Sequence, residues 1–281
     1  MKIVNSIEQV REYISLQESK TIGLVPTMGA LHAGHLALVS QSQSDNDVTI
    51  VSIFVNQKQF NDEEDYLKYP RDNQSDIQLL TNAGVDFLFI PEPEELYPNS
   101  FGTFISVKKL GDSLEGAARP GHFDGVTTIV AKLLNITAPT KAYFGKKDAQ
   151  QLRIVQKMVD DLNMTVKIIA CPTVREKDGL AMSSRNIRLT KSERIEAATL
   201  YQALRFAKQI TVAGERRADS IIDEMTGIIK NNCKSKIDYI SINDAETLEV
   251  VSELSGKILI SLAVFFENVR LIDNIEVNVR N

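Results

Sequence analysis

With 281 residues, 43% of them apolar, the chain can bury the core of one large or two modest domains, and a net charge of −5 with both signs mixed excludes a basic nucleic-acid-binding face. Its two cysteines, Cys171 and Cys233, are too few and too far apart for a disulfide framework or a zinc site. No apolar run approaches the roughly 20 residues of a bilayer span and residues 1–6 lack a signal peptide's apolar core, so the expectation is a soluble cytoplasmic protein.

Strand patterns occur at Thr21–Val25, Val48–Val55, Val85–Ile90, Lys141–Phe144 and Val166–Ala170, mostly as continuous β-branched or aromatic runs. Such runs suit strands buried on both faces of a parallel sheet. Helical patterns at Ala33–Ser44, Asp72–Ala83, Gly125–Leu134 and Asp148–Leu162 alternate with them, and Gly84 gives the second of these a stop. This is α/β grammar: a Rossmann-like, doubly wound parallel sheet whose ligands sit beyond the carboxyl ends of its strands. Between strand and helix, Asn61–Arg71 reads as a surface segment, either a lid or a solvated acidic loop.

After Pro172 the pattern changes. Thr190 and Glu193 form a capping box that opens a helix to about Ile210, and a second helix spans Ala218 to Asn232. Strand patterns follow at Ile237–Ile242, Lys257–Val264 and Val269–Ile275, predicting a smaller C-terminal α+β domain. Residues 174–186 join the two parts and carry a dense polar cluster, which puts the expected active site between the domains.

The stretch Val25-Pro26-Thr27-Met28-Gly29-Ala30-Leu31-His32-Ala33-Gly34-His35 holds two of the three histidines at a strand-to-helix junction. A helix start offers unpaired N–H groups and a favourable dipole to an anion. Gly29 permits a tight path, and Gly34 lets a phosphate or base approach the backbone. His32 and His35, three apart, share one side of the first turn, where a protonated or hydrogen-bonding imidazole can hold a departing charged group. Alone, the motif reads equally well as a turn with two surface histidines. The residues after the second and fourth of these predicted strands, Phe54–Phe60 and Gly145–Gln151, can converge on the same place.

His-x-Gly-His after Pro-Thr-Met-Gly resembles the nucleotidyltransferase superfamily that includes class I aminoacyl-tRNA synthetases. Five further blocks narrow the resemblance: Phe54-Val55-Asn56-Gln57-Lys58-Gln59-Phe60, Tyr69-Pro70-Arg71, Arg119-Pro120-Gly121-His122-Phe123-Asp124-Gly125-Val126, Phe144-Gly145-Lys146-Lys147-Asp148-Ala149-Gln150-Gln151 and Arg175-Glu176-Lys177-Asp178-Gly179-Leu180-Ala181-Met182-Ser183-Ser184-Arg185-Asn186. In order and spacing they resemble the pantothenate synthetase (pantoate–β-alanine ligase, AMP-forming) family over essentially the whole chain. Two positions depart from its pattern: Gln57 replaces the usual proline, and Lys146 a frequent glutamate.

The resemblance implies an ATP-dependent ligase that joins pantoate to β-alanine through a pantoyl-adenylate, releasing AMP and diphosphate. It implies ATP contacts from Met28, Gly29, Ala30, Leu31, His32, Ala33, Gly34 and His35. Gly145, Lys146, Lys147 and Asp148 follow, then Val174 beside adenine, then Met182, Ser183, Ser184 and Arg185 as the counterpart of a Lys-Met-Ser-Lys-Ser loop. His35, His32 and Lys147 are its catalytic candidates. Gln59 and Gln151 are its pantoate candidates, neutral amides that bind hydroxyl and carboxylate without adding charge. Ser-Ser-Arg also suits a helix cap, and His122 has either a supporting role or a second anion contact. Mg2+ is expected to ride with ATP rather than in a protein cage, and no protein metal ligand is assigned. The expected division is 1–173, a Rossmann-like ATP- and pantoate-binding domain, and 174–281, a domain that closes over the site; a homodimer is implied as well. The alternatives are an adenylyltransferase acting on another cofactor precursor and a non-catalytic ATP-binding protein.

Overall fold

A computed structural model describes residues 1–279, which divide into two compact units. The first comprises Met1–Lys146 and Gln150–Pro172; the second begins at Thr173 and includes Lys147–Ala149.

The first unit is built on six parallel strands: β1 (Lys2–Val4), β2 (Ile22–Thr27), β3 (Val48–Ile53), β4 (Phe87–Phe89), β5 (Lys141–Gly145) and β6 (Lys167–Cys171), in the order β1-β4-β3-β2-β5-β6. Every residue of β3 and β4 is buried, as their unbroken apolar runs require. Leaving β1 aside, the chain steps outward from β2 to β3 and β4, then returns to β5 and β6 on the other side, so the strand order reverses between β2 and β5. Those two strands pair only at Gly23–Lys141 and Leu24–Ala142, leaving their carboxyl ends unpaired to each other. That is the place where open α/β sheets hold ligands. Pro26, which has no N–H, lies beyond this pairing and costs β2 no bond to β5.

The helices between these strands include Ala33–Asp45, Asn73–Asn82, His122–Thr137 and Ala149–Asp161. Two elements near the N-terminus are additional to those predicted: β1 and the helix Ile7–Ser15, whose Ser6 and Gln9 form a capping box. The acidic segment holds a short helix, Glu63–Leu67, capped at Asp62 and closed by Arg71, which donates to the carbonyls of Tyr66, Leu67 and Tyr69.

In the second unit, β7 (Lys236–Asp244), β8 (Gly256–Phe266) and β9 (Val269–Val279) form an antiparallel sheet. Helices Ala198–Val212 and Ala218–Asn232 share one hydrophobic core with it, including Leu200, Leu204, Ile221, Met225, Ile260 and Leu262. The capping box at Thr190 forms, but the helix it opens is in two pieces, Lys191–Glu196 and Ala198–Val212. At the break the Leu200 N–H bonds the Ala197 carbonyl three residues back, a 3₁₀-type turn.

Candidate active site

The turn after β2 closes on itself. Gly29 and Ala30 both have positive φ (79° and 51°), and a Cβ on Gly29 would lie 2.9 Å from Asp76 Oδ2 and 3.2 Å from Ile53 Cγ2. The Gly29 N–H donates to Thr27 Oγ1 at 3.3 Å. Those of Ala30 and Leu31 donate to the two carboxylate oxygens of Asp76, at 2.8 and 2.7 Å. Asp76 is buried on helix Asn73–Asn82, and burial raises its pKa against the lowering effect of these two donors.

The histidines then cap their own helix. His32 is the N-cap of Ala33–Asp45, and its Nδ1 accepts the Gly34 N–H at 3.1 Å. His35 returns the bond, its Nδ1 accepting the His32 N–H at 3.3 Å, so two imidazoles form a capping box normally built from hydroxyl and carboxamide or carboxylate groups. The rings lie 4.1 Å apart, centroid to centroid. A nitrogen that accepts an N–H carries no proton of its own, so both rings hold theirs on Nε2. Part of the set of helix-start amides is therefore engaged by the histidines themselves. The Gly29, Ala30, Leu31, His32 and Gly34 amides are engaged with Thr27, Asp76 and the two imidazoles, and each ring keeps its proton on Nε2. Protonating either ring at Nδ1 would break the cap.

Gln59 meets this turn. Its Nε2 lies 3.0 Å from Met28 Sδ, a weak acceptor, while its Oε1 accepts from Asn56 Nδ2 at 3.1 Å. Asn56 thus fixes the amide with its NH2 toward Met28. Asn56 Nδ2 also donates to the Gly125 carbonyl, which leaves Asn56 Oδ1 buried and without a partner among the described residues. The Arg-Pro-Gly-His block holds the backbone beneath. His122 Nδ1 lies 2.7 Å from the Gln59 carbonyl, which only accepts, so His122 carries its proton on Nδ1. Its Nε2 lies 3.4 Å from Arg119 Nη1, which only donates. Gly125 lets helix His122–Thr137 touch the Lys58–Gln59 backbone; a Cβ there would stand 2.3 Å from the Lys58 carbonyl oxygen. His122 is therefore a support for Gln59.

The glutamine pair after β5 divides its work. Gln150 is buried, donating to the Leu110 and Ser113 carbonyls and accepting from the Glu115 N–H. Gln151 is half-buried. Gly145 ends β5, with Lys146 directly after it.

The remaining predicted residues belong to the second unit. The Lys147 ammonium lies 3.5 Å from Asp148 Oδ1. Residues 174–182 fold back as a small hairpin: Arg175 bridges Ala181, Met182 N–H donates to the Val174 carbonyl, and Gly179 turns at φ 97°. Ser183 caps the 3₁₀ helix Ser184–Arg188, accepting the Arg185 N–H at 3.2 Å. The cap role of the serine cluster is therefore present, and a capping hydroxyl still has its own proton to donate. Arg194 ties the hairpin through Glu176 and Asp178, both at 2.6 Å.

A family model described as pantoate-beta-alanine ligase matches residues 2–276. The chain belongs to the pantoate–β-alanine ligase family. Pantothenate synthetase of Caldicellulosiruptor saccharolyticus is 51% identical over 281 residues, covering 99% of this chain and all of that one; the Thermotoga petrophila protein is 50% identical over 276 residues, 98% of this chain and 99% of its own. The pantothenate synthetase structure from Thermus thermophilus superimposes with a TM-score of 0.94 at 42% identity, covering 99% of this chain and 100% of that one. The Francisella tularensis pantoate–β-alanine ligase, solved in complex with beta-gamma ATP and beta-alanine, gives 0.79 at 38% identity over 98% and 97% of the two chains. The resemblance read from the six blocks is thereby shown, as is the α/β class of the fold.

Asp76 and Asn56 are the site residues that sequence reading passed over. Asn56 stood inside a quoted block without a role. Asp76 gave no signal, because its function depends on a helix crossing behind the turn.

Proposed function

We propose that this chain condenses pantoate with β-alanine at the expense of ATP, giving pantothenate, AMP and diphosphate through an enzyme-bound pantoyl-adenylate. The observation that carries the reading is the contact between the histidine turn and an amide whose orientation Asn56 fixes. A turn that keeps two imidazole protons on Nε2 suits phosphate oxygens, and the adjoining Gln59 NH2 suits a carboxylate or hydroxyl.

The chemistry requires two steps. A pantoate carboxylate oxygen attacks the α-phosphorus and diphosphate leaves; then the β-alanine amine attacks the acyl carbon and AMP leaves with its bridging oxygen. The first step brings two anions together, so it needs fixed donors and positive charge where the charge develops. His32 and His35 supply donors, Lys147 the neutralising charge, and Ser183, Ser184 and Arg185 further phosphate contacts. Met28–His35, Gly145, Lys146, Asp148, Val174 and Met182 position the nucleotide, while Gln59 and Gln151 hold pantoate. Mg2+ accompanies ATP, keeping water and phosphate ligands. Among the described residues no three His, Cys, Asp or Glu converge to cage a metal. A cytoplasmic location and pairing of two copies belong to the same proposal; no helix of the described residues is long and apolar enough to cross a membrane.

The test is product analysis with ATP and pantoate, with and without β-alanine. Pantothenate and AMP in equal amounts, formed only when all three substrates are present, support the reading. An adenylylated dinucleotide product, or ATP binding without turnover, favours the adenylyltransferase or the non-catalytic alternative.

A further inference from the structure

Strand β9 carries two adjacent polar residues, Asp273 and Asn274, where a three-stranded sheet of this size needs none. Period-two alternation puts Asp273 on the same face as Leu271, Ile275 and Val277, within the apolar core of the second unit. Asp273 is 3% exposed and Asn274 9%. An ionised carboxylate in that position is costly unless fully answered, and well-packed apolar residues would serve stability at least as well.

What answers it is Arg175. Its guanidinium meets Asp273 in a two-pronged pair at 2.6 and 2.9 Å, lies 3.8 Å over the Tyr201 ring, and donates to the Gly179 carbonyl at 3.1 Å. Arg175 opens the hairpin that runs to Met182, and it clasps the hairpin's tip from within. The hairpin in turn delivers Ser183, Ser184 and Arg185.

Asn274, on the opposite face of the same strand, donates through Nδ2 to the Lys147 carbonyl at 2.7 Å. One dipeptide therefore braces two chain segments from its two faces: the hairpin through Asp273, and the main chain of Lys147 through Asn274. They are the two segments of this unit that carry predicted phosphate contacts.

We propose that Asp273 and Asn274 are positioning residues for the nucleotide half of the reaction, setting the Met182–Arg185 segment and Lys147 for a triphosphate. This rests on the function proposed above. The pairing also explains why an ion pair is kept inside an apolar core: the fork of Arg175 fixes direction as well as distance, which an apolar contact does not.

The decisive variant is Asn274→Asp, which keeps side-chain volume but places an oxygen, instead of a donor, against the Lys147 carbonyl. Pantoate-dependent exchange of labelled diphosphate into ATP, without β-alanine, reports the nucleotide half. Conversion of supplied pantoyl-adenylate and β-alanine to pantothenate reports the other. The expected result is roughly a tenfold loss of exchange, with a raised ATP KM, from leaving a buried acceptor opposed. The second half-reaction should fall less than about threefold. Arg175→Lys, which keeps the charge but loses the fork, should split the half-reactions in the same sense.

A loss shared equally by both half-reactions, following the folded fraction in a melting curve, would reduce the pair to fold support and overturn the proposal. An unchanged ATP KM and exchange rate in both folded variants would overturn it as well. Wild-type protein that shows no pantoate-dependent exchange would overturn the proposed function and this inference together. Normal wild-type exchange with indifferent variants would overturn this inference alone.

Discussion

The histidine turn and the Val174–Met182 hairpin are both short, tightly bonded and rich in predicted nucleotide contacts, yet they are held by different means. The turn has its amides folded inward onto Thr27, Asp76 and the imidazoles, with Asp76 buried behind it. The hairpin has one buried anchor, Arg175–Asp273, and two outer ties from Arg194 to Glu176 and Asp178, whose side chains are about a third exposed. Buried, singly oriented bonds fix geometry; exposed charge pairs contribute little and yield to salt. The first region is fixed by its own backbone bonds, whereas the outer part of the second can open at small cost in free energy.

Removing a presented donor is expected to have the largest effect. His35→Ala should lower turnover by about 10²–10³, the usual loss for one preorganised donor, as measured by steady-state AMP release. A loss of only a few-fold would leave the imidazole cap a fold device. Next comes Asp76→Asn, which sets an amide N–H against one of the backbone donors of Ala30 and Leu31. It should cost about 2 kcal/mol of stability in denaturant unfolding. The folded-state pKa of Asp76 is raised, so the native state holds that proton more tightly than the unfolded chain. Wild-type stability relative to Asp76→Asn should therefore decline as pH rises from about 3.9 through the raised value.

Gln59→Ala should raise the pantoate KM about tenfold with little change for ATP, the outcome expected from its proposed role in holding the acid. A shift confined to the ATP constant would reverse that assignment. The smallest effect is expected in the hairpin: Arg194→Ala should cost at most about 1 kcal/mol, fading in high salt. The Arg194 hydrogen bond holds the Asp178 carboxyl below its ordinary range. That contribution should be present above about pH 4 and lost as pH falls through the lowered value, as a melting series would show. A loss as large as that of Asp76→Asn would erase the contrast between the two regions.

What was legible in the sequence follows from how local each cause is. The five strands of the first unit read from the sequence, and the helices between them, announce themselves by apolar runs and caps, although Lys167–Cys171 is only partly buried, and Thr190–Glu193 marks a helix start correctly. The helix Ile7–Ser15 carried the same kind of signal in Ser6 and Gln9, and could have been read. The six motif blocks located the family, and the positions of the turn and Gln59 beyond strand ends brought them together before any coordinates. Bonds between distant residues were beyond reach. Nothing in Asn73–Asn82 marks Asp76 as the acceptor for a turn 45 residues away, nor Asn274 as the partner of Lys147. Nor does the sequence mark the imidazoles of His32 and His35 as the acceptors that engage part of the helix-start amides.

The central claim is that the imidazole Nδ1 atoms of His32 and His35 accept backbone N–H groups of their own helix start, which keeps each ring's proton on Nε2. Nitrogen-15 NMR of the three histidine rings, at a pH where they are neutral and with each assigned by a single substitution, tests it directly. The account predicts proton on Nε2 in His32 and His35 and on Nδ1 in His122, two tautomers fixed by opposite neighbours. A proton on Nδ1 of His32 or His35 would contradict it, because neither ring could then accept the backbone N–H groups that close the turn.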